Sequence, residues 1–367
     1  MLHALCSMRL TDLDMSNLHF RTGDGVQPAI EHACAANPDL AEFHVLGTSE
    51  EGRPLYGVTL GHGPQTVTLM AGAHADEPVG PETLRQFILG TLAERDWMSE
   101  GGGFADLFER FTFRIIPHVN PDGEARNRAW IEAWPDVEAY LQYREREQPG
   151  RDLEFGYPVM RDENRLAARF LFDYSPIALH MSLHGMGFSE GAMLLVERHW
   201  VGQTEALRAA FAAAAKEAGL RLHDHDRGGD KGFEYIEPGF WTTPEGAAMR
   251  DHFRELGDLE TARRFYCSSM EMARMAGYDA ERQRHPLALV TELPLFVIER
   301  EYEREPGLPS AYLAFRDELP ELRYKLERGK SIADDLAPFE LRPLELETAV
   351  RLQLRCIELG LEQVTEA

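Results

Sequence analysis

Short apolar runs bounded by turn residues divide this chain into predicted strands and helices. Runs of roughly four to eight apolar residues between glycine, proline or polar clusters are typical of buried strands. They predict strands at 43–48, 54–60, 66–73, 111–118, 177–184, 191–197 and 287–292. Apolar residues that recur at helical spacing predict helices at 81–95, at 203–218, which ends before Gly219, and at 344–363.

This order of strands and helices predicts the fold class. It favours an α/β domain with a mixed, mostly parallel central sheet flanked by helices. The 367 residues could form one large domain or two ordinary ones. Because no Gly/Ser-rich linker, repeat or low-complexity tract marks a boundary, we predict a single domain over 1–367. It would carry an irregular excursion at about 124–175 and a C-terminal helical region from about 310.

Two predicted strands end in residues that could bind a metal. His74 and Glu77 lie three apart just after the run TVTLMAG, and His184 ends the run IALHMSLHG. A strand end followed by a turn of helix can aim an imidazole and a carboxylate at one point. Two histidines and a glutamate are enough to hold a catalytic Zn²⁺ with one position left for water. We therefore predict one Zn²⁺ per chain at His74, Glu77 and His184.

A further glutamate, Glu292, lies inside the apolar stretch LALVTELPLFV. An unpaired carboxylate in such surroundings would be costly, which favours a functional role over a structural one. A water activated by zinc needs a base to take its proton. We predict that Glu292 is this base.

Other histidines compete for a metal role. His180 and His184 are four apart in one predicted strand and would point to the same face, so spacing alone leaves both open as the third ligand. His223 and His225 lie in HDHDRGGDKG, whose composition resembles a metal site. Its glycines and alternating charges are more typical of an exposed loop.

Five segments resemble the zinc carboxypeptidase family, the M14 metallopeptidases, in the same order along the chain. They are GTSEEGRPLYGVTLG at 47–61, AGAHADEP at 71–78, IIPHVNPDG at 115–123, SLHG at 182–185 and TELP at 291–294. Five ordered matches are more specific than any one of them. The resemblance implies the metal ligands and the base named above, and it favours His184 over His180. His180 would then be a hydrogen-bonded core histidine.

The resemblance also implies arginines that hold the substrate. Related carboxypeptidases use an Asn-Arg pair for the terminal carboxylate and another arginine to polarise the carbonyl, and a guanidinium fork matches a carboxylate. The segment DENR supplies Asn164 and Arg165, and the stretch after NPDG supplies Arg126 and Arg128. We predict substrate binding by Asn164, Arg165 and Arg126 and a catalytic role for Arg128, with Asn127-Arg128 as a rival pair.

Arginines and acids crowd the stretch 124–175, which also contains Arg144, Arg146, Arg151 and Arg161. For most of these arginines the pattern is typical of a solvated, salt-bridged surface. A tyrosine often approaches the reacting group in the family, and Tyr266 and Tyr278 are both left open for that role.

Charge and cysteine content limit the partners. A formal charge of −24 argues against nucleic acid and anionic membranes, which both favour basic surfaces. It leaves an anionic substrate possible, because arginines within about 8 Å matter more to a bound carboxylate than distant glutamates do. The N-terminal segment lacks the apolar centre of a signal peptide, and no later segment is apolar for the length of a bilayer, so we expect a cytoplasmic protein. The four scattered cysteines indicate neither a disulfide framework nor a thiolate zinc site.

The resemblance implies a zinc-dependent metallocarboxypeptidase that hydrolyses the C-terminal amide bond of a peptide or small amide substrate with a free carboxylate. An alternative is a deacylase of N-acyl amino acids, similar to aspartoacylase and succinylglutamate desuccinylase, because that branch shares the metal triad and the base. A binding protein that inherited the fold is a third reading. The complete set of ligands and base argues against it, since a degenerate site need not keep a costly buried cluster.

Overall fold

A ten-stranded sheet organises this computed structural model, which describes residues 9–93, 104–174, 176–300 and 305–366. The strands follow the order β1-β2-β4-β3-β5-β9-β6-β8-β7, and β10 pairs with β9. Their bounds are β1 (Ala41–Thr48), β2 (Pro54–Leu60), β3 (Gln65–Ala71), β4 (Phe111–Ile116), β5 (Ile177–Ser189), β6 (Met193–Val196), β7 (Tyr235–Glu237), β8 (Phe240–Thr242), β9 (Leu287–Ile298) and β10 (Leu341–Pro343).

Helices pack on both faces of this sheet. They are α1 (Gly23–Ala36), α2 (Val79–Ala93), α3 (Ala105–Arg110), α4 (Pro121–Glu132), α5 (Val137–Tyr143), α6 (Asp162–Phe172), α7 (Glu205–Glu217), α8 (Gly246–Glu255), α9 (Leu259–Ala262), α10 (Ser269–Ala276), α11 (Ser310–Glu327), α12 (Ala333–Leu336) and α13 (Leu346–Glu366). The three predicted helices correspond to α2, α7 and α13, and positions 94 and 95 of the first lie outside the described residues.

The pairing of the strands confirms the mixed sheet and locates its parallel part. The central pairs β4–β3, β3–β5 and β5–β9 are parallel, whereas β1–β2, β2–β4 and β9–β6 are antiparallel. The register sets Ala71 beside Leu183 and His184 beside Glu292. Because neighbouring parallel strands end at the same edge of a sheet, the residues that follow them converge there.

All seven predicted strands are present, and the differences have simple causes. The strands β7, β8 and β10 contain three residues each, which is too short for an apolar run to be recognised. The strand β5 continues to Ser189 although Gly185 and Gly187 interrupt its apolar run, because residues 185–189 pair with 293–297 of β9.

The stretch 124–175 is more regular than its sequence predicts. It contains most of α4 and all of α5 and α6. The amphipathic pattern of α4 is weak because its buried positions include the polar residues Asp122, Glu124 and Asn127. Between α5 and α6 the chain returns to the edge of the sheet at residues 144–161, and this return carries several side chains of the site described below.

The core lies on both sides of the sheet. On one side, α2, α7 and α13 contribute to the largest cluster of buried apolar residues. On the other side, α6 and α10 bury Phe170, Leu171 and Ala273 against Met70 and Ile177. The helix α2 lies so close to β5 that a Cβ atom on its Gly80 would meet the Leu183 carbonyl oxygen. This contact fixes α2 against the strand that carries His184.

Among the described residues, the helices are too short or too polar to cross a bilayer. Cys34, Cys267 and Cys356 are free thiols, and Cys6 lies outside the described part of the chain.

Candidate active site

His74 and Glu77 lie in the connection between β3 and α2. The connection begins with Gly72, whose φ of 74° is in the left-handed region and whose missing Cβ makes room for the His118 ring. The chain then turns sharply, and the Glu77 amide donates a hydrogen bond to the His74 carbonyl at 3.2 Å. This turn directs both side chains toward β5.

The structure brings the three predicted metal ligands together. Nδ1 of His74 lies 2.9 Å from Oε1 of Glu77, and Nδ1 of His184 lies 2.9 Å from Oε2 of the same carboxylate. The two Nδ1 atoms are 3.1 Å apart. Ligand atoms about 2.0–2.1 Å from a tetrahedral Zn²⁺ lie roughly 3.3 Å from one another, so this spacing fits a zinc ion with little rearrangement.

Each of the two imidazoles also has a carboxylate on its far nitrogen. Nε2 of His74 lies 3.0 Å from Asp152, and Nε2 of His184 lies 3.0 Å from Glu154. Glu154 is held in turn by the amide of Ser269 at 2.9 Å. Metal-binding histidines commonly donate their second N–H to a carboxylate, which leaves the other nitrogen free for the metal. The arrangement therefore orients both Nδ1 atoms toward the ligand carboxylate of Glu77.

The electrostatics of this group favour bound positive charge. Burial opposes protonation of His184, yet the hydrogen bonds to Glu154 and Glu77 raise its pKa to about 10. Burial and Arg146 likewise oppose protonation of His74, but Asp152 and Glu77 raise its pKa well above the usual value. The Arg146 guanidinium lies 2.7 Å from His74 Nδ1 and 3.1 Å from Glu77. Because these three side chains attract protons and a guanidinium group, they would also attract a divalent cation.

Glu292 is positioned by the pairing of β9 with β5. It stands beside His184 in the parallel register, and with Glu77 it lines a cavity of about 280 Å³, here called the Glu292 cavity. Its Oε2 atom is buried and has no hydrogen-bond partner among the described residues. Burial, followed by the neighbouring charge of Glu77, raises the pKa of Glu292 to about 8. A buried polar atom without a partner is costly, so this carboxylate is a candidate for chemistry.

Two arginines that the sequence analysis assigned to a solvated surface line the Glu292 cavity. Arg144 and Arg146 follow α5, and both approach the buried Asp76, with Arg144 Nε at 3.1 Å and Arg146 Nη1 at 3.6 Å. The helix α11 supplies Tyr312 and Arg316 to the same cavity. The cavity thus combines carboxylates at its base with guanidinium groups around it.

The arginines of α4 lie elsewhere. Arg128 pairs with Asp24 at 2.7 Å and lines a separate cavity of about 330 Å³. Arg126 contacts Glu51 and Glu145 at the surface. Acids close to these arginines in the fold hold them away from the Glu292 cavity.

The pair Asn164 and Arg165 is also separated from the Glu292 cavity. Asn164 is fully buried and donates a hydrogen bond to the Leu153 carbonyl at 2.8 Å, so it supports the turn that carries Asp152 and Glu154. Arg165 is half-exposed on α6 and pairs with Asp162 at 2.7 Å.

The structure separates the alternative residues, His180, Tyr266 and Tyr278, from the metal ligands. His180 is buried between Thr68 at 2.8 Å and Ser269 at 3.1 Å, and burial lowers its pKa to about 4. It is therefore a neutral, hydrogen-bonded core histidine. Tyr266 and Tyr278 are exposed, whereas Tyr312 lines the Glu292 cavity.

Comparisons with known proteins find similarity to zinc carboxypeptidases in sequence and in fold. The zinc carboxypeptidase family model matches residues 27–165. "Zinc carboxypeptidase A 1" of Anopheles gambiae is 29% identical over 151 residues, which are 40% of this chain and 33% of that protein. An "inactive metallocarboxypeptidase" of Ajellomyces capsulatus is 24% identical over 155 residues, which are 38% of this chain and 24% of that protein. The crystal structure of thrombin activatable fibrinolysis inhibitor covers 98% of this chain and 78% of its own, at 13% identity and a TM-score of 0.50.

The resemblance predicted from the sequence is thereby confirmed. The chain has the mixed-sheet fold of carboxypeptidases, and residues 27–165 resemble the zinc carboxypeptidases in sequence. It matches about a third or less of the length of its curated relatives, two of which are named inactive metallocarboxypeptidases. His184 and Glu292 lie beyond the part matched by the family model, so support for the activity comes from the positions of these residues in the structure.

Proposed function

We propose that this protein is a zinc-dependent metallocarboxypeptidase that hydrolyses the C-terminal amide bond of a peptide or peptide-like substrate. One observation carries the proposal: the Nδ1 atoms of His74 and His184 converge on Glu77, at the base of a cavity that Glu292 also lines. This arrangement supplies three metal ligands and a separate carboxylate with an unpartnered oxygen. Such a set is what metal-assisted hydrolysis needs.

The roles of the protein groups follow from their positions. A Zn²⁺ held by His74, Glu77 and His184 would polarise the scissile carbonyl and acidify a water. Glu292 would accept the proton of that water and deliver it to the leaving amine. A zinc ion beside Glu292 would favour its ionised form, which is the form that accepts this proton. Asp152 and Glu154 would hold the two imidazole rings in place.

We further propose that Arg144 and Arg146 hold the terminal carboxylate of the substrate. Both line the Glu292 cavity and approach the buried carboxylate of Asp76, and Arg146 also lies 3.1 Å from Glu77. With Glu77 bound to zinc, the two guanidinium groups would face only Asp76, and this would leave positive charge for an anionic ligand. A planar guanidinium can bind a carboxylate through two parallel hydrogen bonds.

Replacing either arginine of the pair should remove the preference for a free-acid substrate. We expect Arg144→Gln and Arg146→Gln each to lower kcat/KM for a peptide acid by about 10- to 100-fold, because a charge-assisted contact is lost. The same variants should change kcat/KM for the C-terminal amide much less. The measurement is the acid-to-amide ratio of kcat/KM, with zinc content determined in parallel because Arg146 contacts His74.

Arg165→Gln is the matched control, since it removes the same charge outside the cavity. It should leave the acid-to-amide ratio at the wild-type value. A ratio that collapsed in Arg165→Gln and survived in the other two variants would instead support the anchor implied by the family resemblance.

The carboxylates behind the imidazoles should contribute to zinc affinity. We expect Asp152→Asn and Glu154→Gln each to weaken zinc binding by about 10- to 100-fold, the usual effect of removing such a partner. Competition with a chromogenic chelator measures the affinity. Glu197→Gln is the control, because Glu197 is a buried carboxylate that lies 2.7 Å from a histidine outside the site, His199. Unchanged affinity in both site variants would contradict the assigned role.

The decisive assay offers zinc-loaded protein a set of blocked tripeptides and a set of simple N-acyl amino acids. Release of the C-terminal residue from the tripeptides, lost after treatment with a chelator and restored by zinc, supports the carboxypeptidase. Turnover of the N-acyl amino acids alone would replace it with the deacylase. If the zinc-loaded protein hydrolysed neither set of compounds, the proposed function would be overturned.

A further inference from the structure

A second cavity adjoins the Glu292 cavity. It has a volume of about 350 Å³, within the range of about 300–1,000 Å³ typical of small-molecule sites. Met186, Tyr312 and Arg316 line both cavities. Because they share these walls, a ligand bound beside Glu292 can extend into the second cavity without leaving the protein surface.

The second cavity is basic, and it is called the basic pocket below. Three cationic side chains line it, namely Arg227, Lys231 and Arg316, against the single carboxylate of Asp230. Asp230 is already shared, since it lies 3.3 Å from Arg227 and 3.0 Å from His252. The local excess of positive charge is opposite in sign to the net charge of −24 of the chain. Local charges dominate the field inside a pocket, so this one attracts anions.

In the described part of the chain, one ring nitrogen of a buried histidine in the wall of the basic pocket has no hydrogen-bond partner. His223 is 2% exposed, and its Nδ1 atom has no hydrogen-bond partner among the described residues. Burial keeps this ring neutral by lowering its pKa to about 3. A neutral imidazole offers one donor and one acceptor, so it can bind a polar ligand atom at no cost in charge. Buried polar groups usually have a partner, which suggests that a ligand supplies one here.

Aromatic walls complete the basic pocket. Phe233, Trp241 and Tyr312 line it, and the Arg227 guanidinium lies over the Phe233 ring, 4.4 Å from its centroid. This stacking holds the guanidinium in position, and the apolar walls reduce screening by water. A short side chain that ends in a carboxylate matches both features, because its methylene groups would contact the rings while its charge meets Arg227 and Lys231.

We propose that the basic pocket is a substrate subsite for a carboxylate-bearing side chain, so that the preferred peptides carry a glutamate or aspartate near the scissile bond. The proposal rests on the function proposed above for the identity of the ligand as a peptide. The binding of the acidic side chain can be measured without turnover, which keeps the two proposals separable.

The first measurement is binding to zinc-loaded Glu292→Gln protein. N-acetylated tripeptides are prepared in matched pairs with glutamate or glutamine at each position in turn, and their affinities are measured by calorimetry. At one position the glutamate peptide should bind at least about 10-fold more tightly than its glutamine partner, as expected for a charge-assisted contact. The double variant Arg227→Gln/Lys231→Gln should reduce this preference to less than about threefold.

A second double variant controls for the general field of the protein. Arg254→Gln/Lys216→Gln removes the same two charges from exposed positions that line neither cavity. It should keep the full preference for glutamate. A preference absent from every pair, or one that survived Arg227→Gln/Lys231→Gln, would overturn the proposal.

Turnover of the same peptide pairs by the wild-type enzyme separates the two proposals. Hydrolysis with no preference for glutamate would leave the carboxypeptidase in place and reject the acidic subsite. Selective binding of the glutamate peptides without hydrolysis of any of them would reject the carboxypeptidase and retain the subsite.

Discussion

Glu292→Gln should lower kcat on a peptide acid by about 10²- to 10⁴-fold and leave zinc in place, because an amide cannot accept the proton of the attacking water. The change conserves size, and the backbone pairing of Glu292 with His184 does not depend on the carboxylate. Metal analysis of dialysed protein should therefore give the wild-type ratio of zinc to protein. Steady-state kinetics on one free-acid peptide measure the loss.

Glu299→Gln provides the matched control. Glu299 follows the end of β9, pairs with Arg342 at the surface and lines none of the three cavities described above. Its kcat should equal that of the wild type. An undiminished rate in Glu292→Gln would remove Glu292 from the mechanism, whereas a low rate that tracked lost zinc would make it a structural support of the metal site.

His184→Ala should lose zinc. Removing a residue that hydrogen-bonds to a metal ligand typically weakens zinc binding about 10- to 100-fold. Removing a ligand itself should therefore weaken zinc binding by more than about 100-fold. Dialysis against a competing chelator followed by metal analysis measures the remaining zinc. Full occupancy in His184→Ala would show that the ligand set is wrong.

His180→Ala separates loss of a ligand from loss of a buried histidine. This ring binds Thr68 and Ser269 in the core, so its removal should lower the free energy of unfolding. Zinc should nevertheless remain bound to the folded variant. If zinc were lost from His180→Ala and kept by His184→Ala, His180 would take the place of the third ligand.

The sequence predicts the centre of the fold because the signal there is local. Each central strand is an apolar run bounded by turn residues, and His74, His184 and Glu292 follow or end such runs. Parallel pairing of these strands then places their carboxyl ends at the same edge of the sheet. The positions of His74, Glu77, His184 and Glu292 could therefore be inferred before any coordinates.

The surroundings of these residues could not be inferred in the same way. Asp152 meets His74 across 78 positions, and Arg146 meets it across 72. Both come from a return of the chain that has no strand or long helix of its own, so hydrophobic periodicity does not reveal where it leads. The alternation of arginines and acids near 144–154 resembles a solvated surface, although here the fold buries Glu154 and partly buries Asp152.

The arginines show what a family resemblance leaves undecided. It predicts that some arginine meets the substrate, but Arg126, Arg128 and Arg165 each pair with acids outside the Glu292 cavity. Arg144 and Arg146 occupy the cavity instead. Which guanidinium reaches a site depends on the path of the connecting segments, and short motifs do not record that path.

The shared register of β5 and β9 makes these two strands intolerant of insertions, whereas the segments around the cavities can accept them. His184 and Glu292 are neighbours in one backbone ladder, so inserting a single residue in either strand would turn one of them to the opposite face of the sheet. Most of the side chains that line the two cavities come from connecting segments and from α11, and insertions cost little in the connecting segments. Descendants of this chain could therefore exchange one substrate for another while the spacing between ligand and base stayed the same.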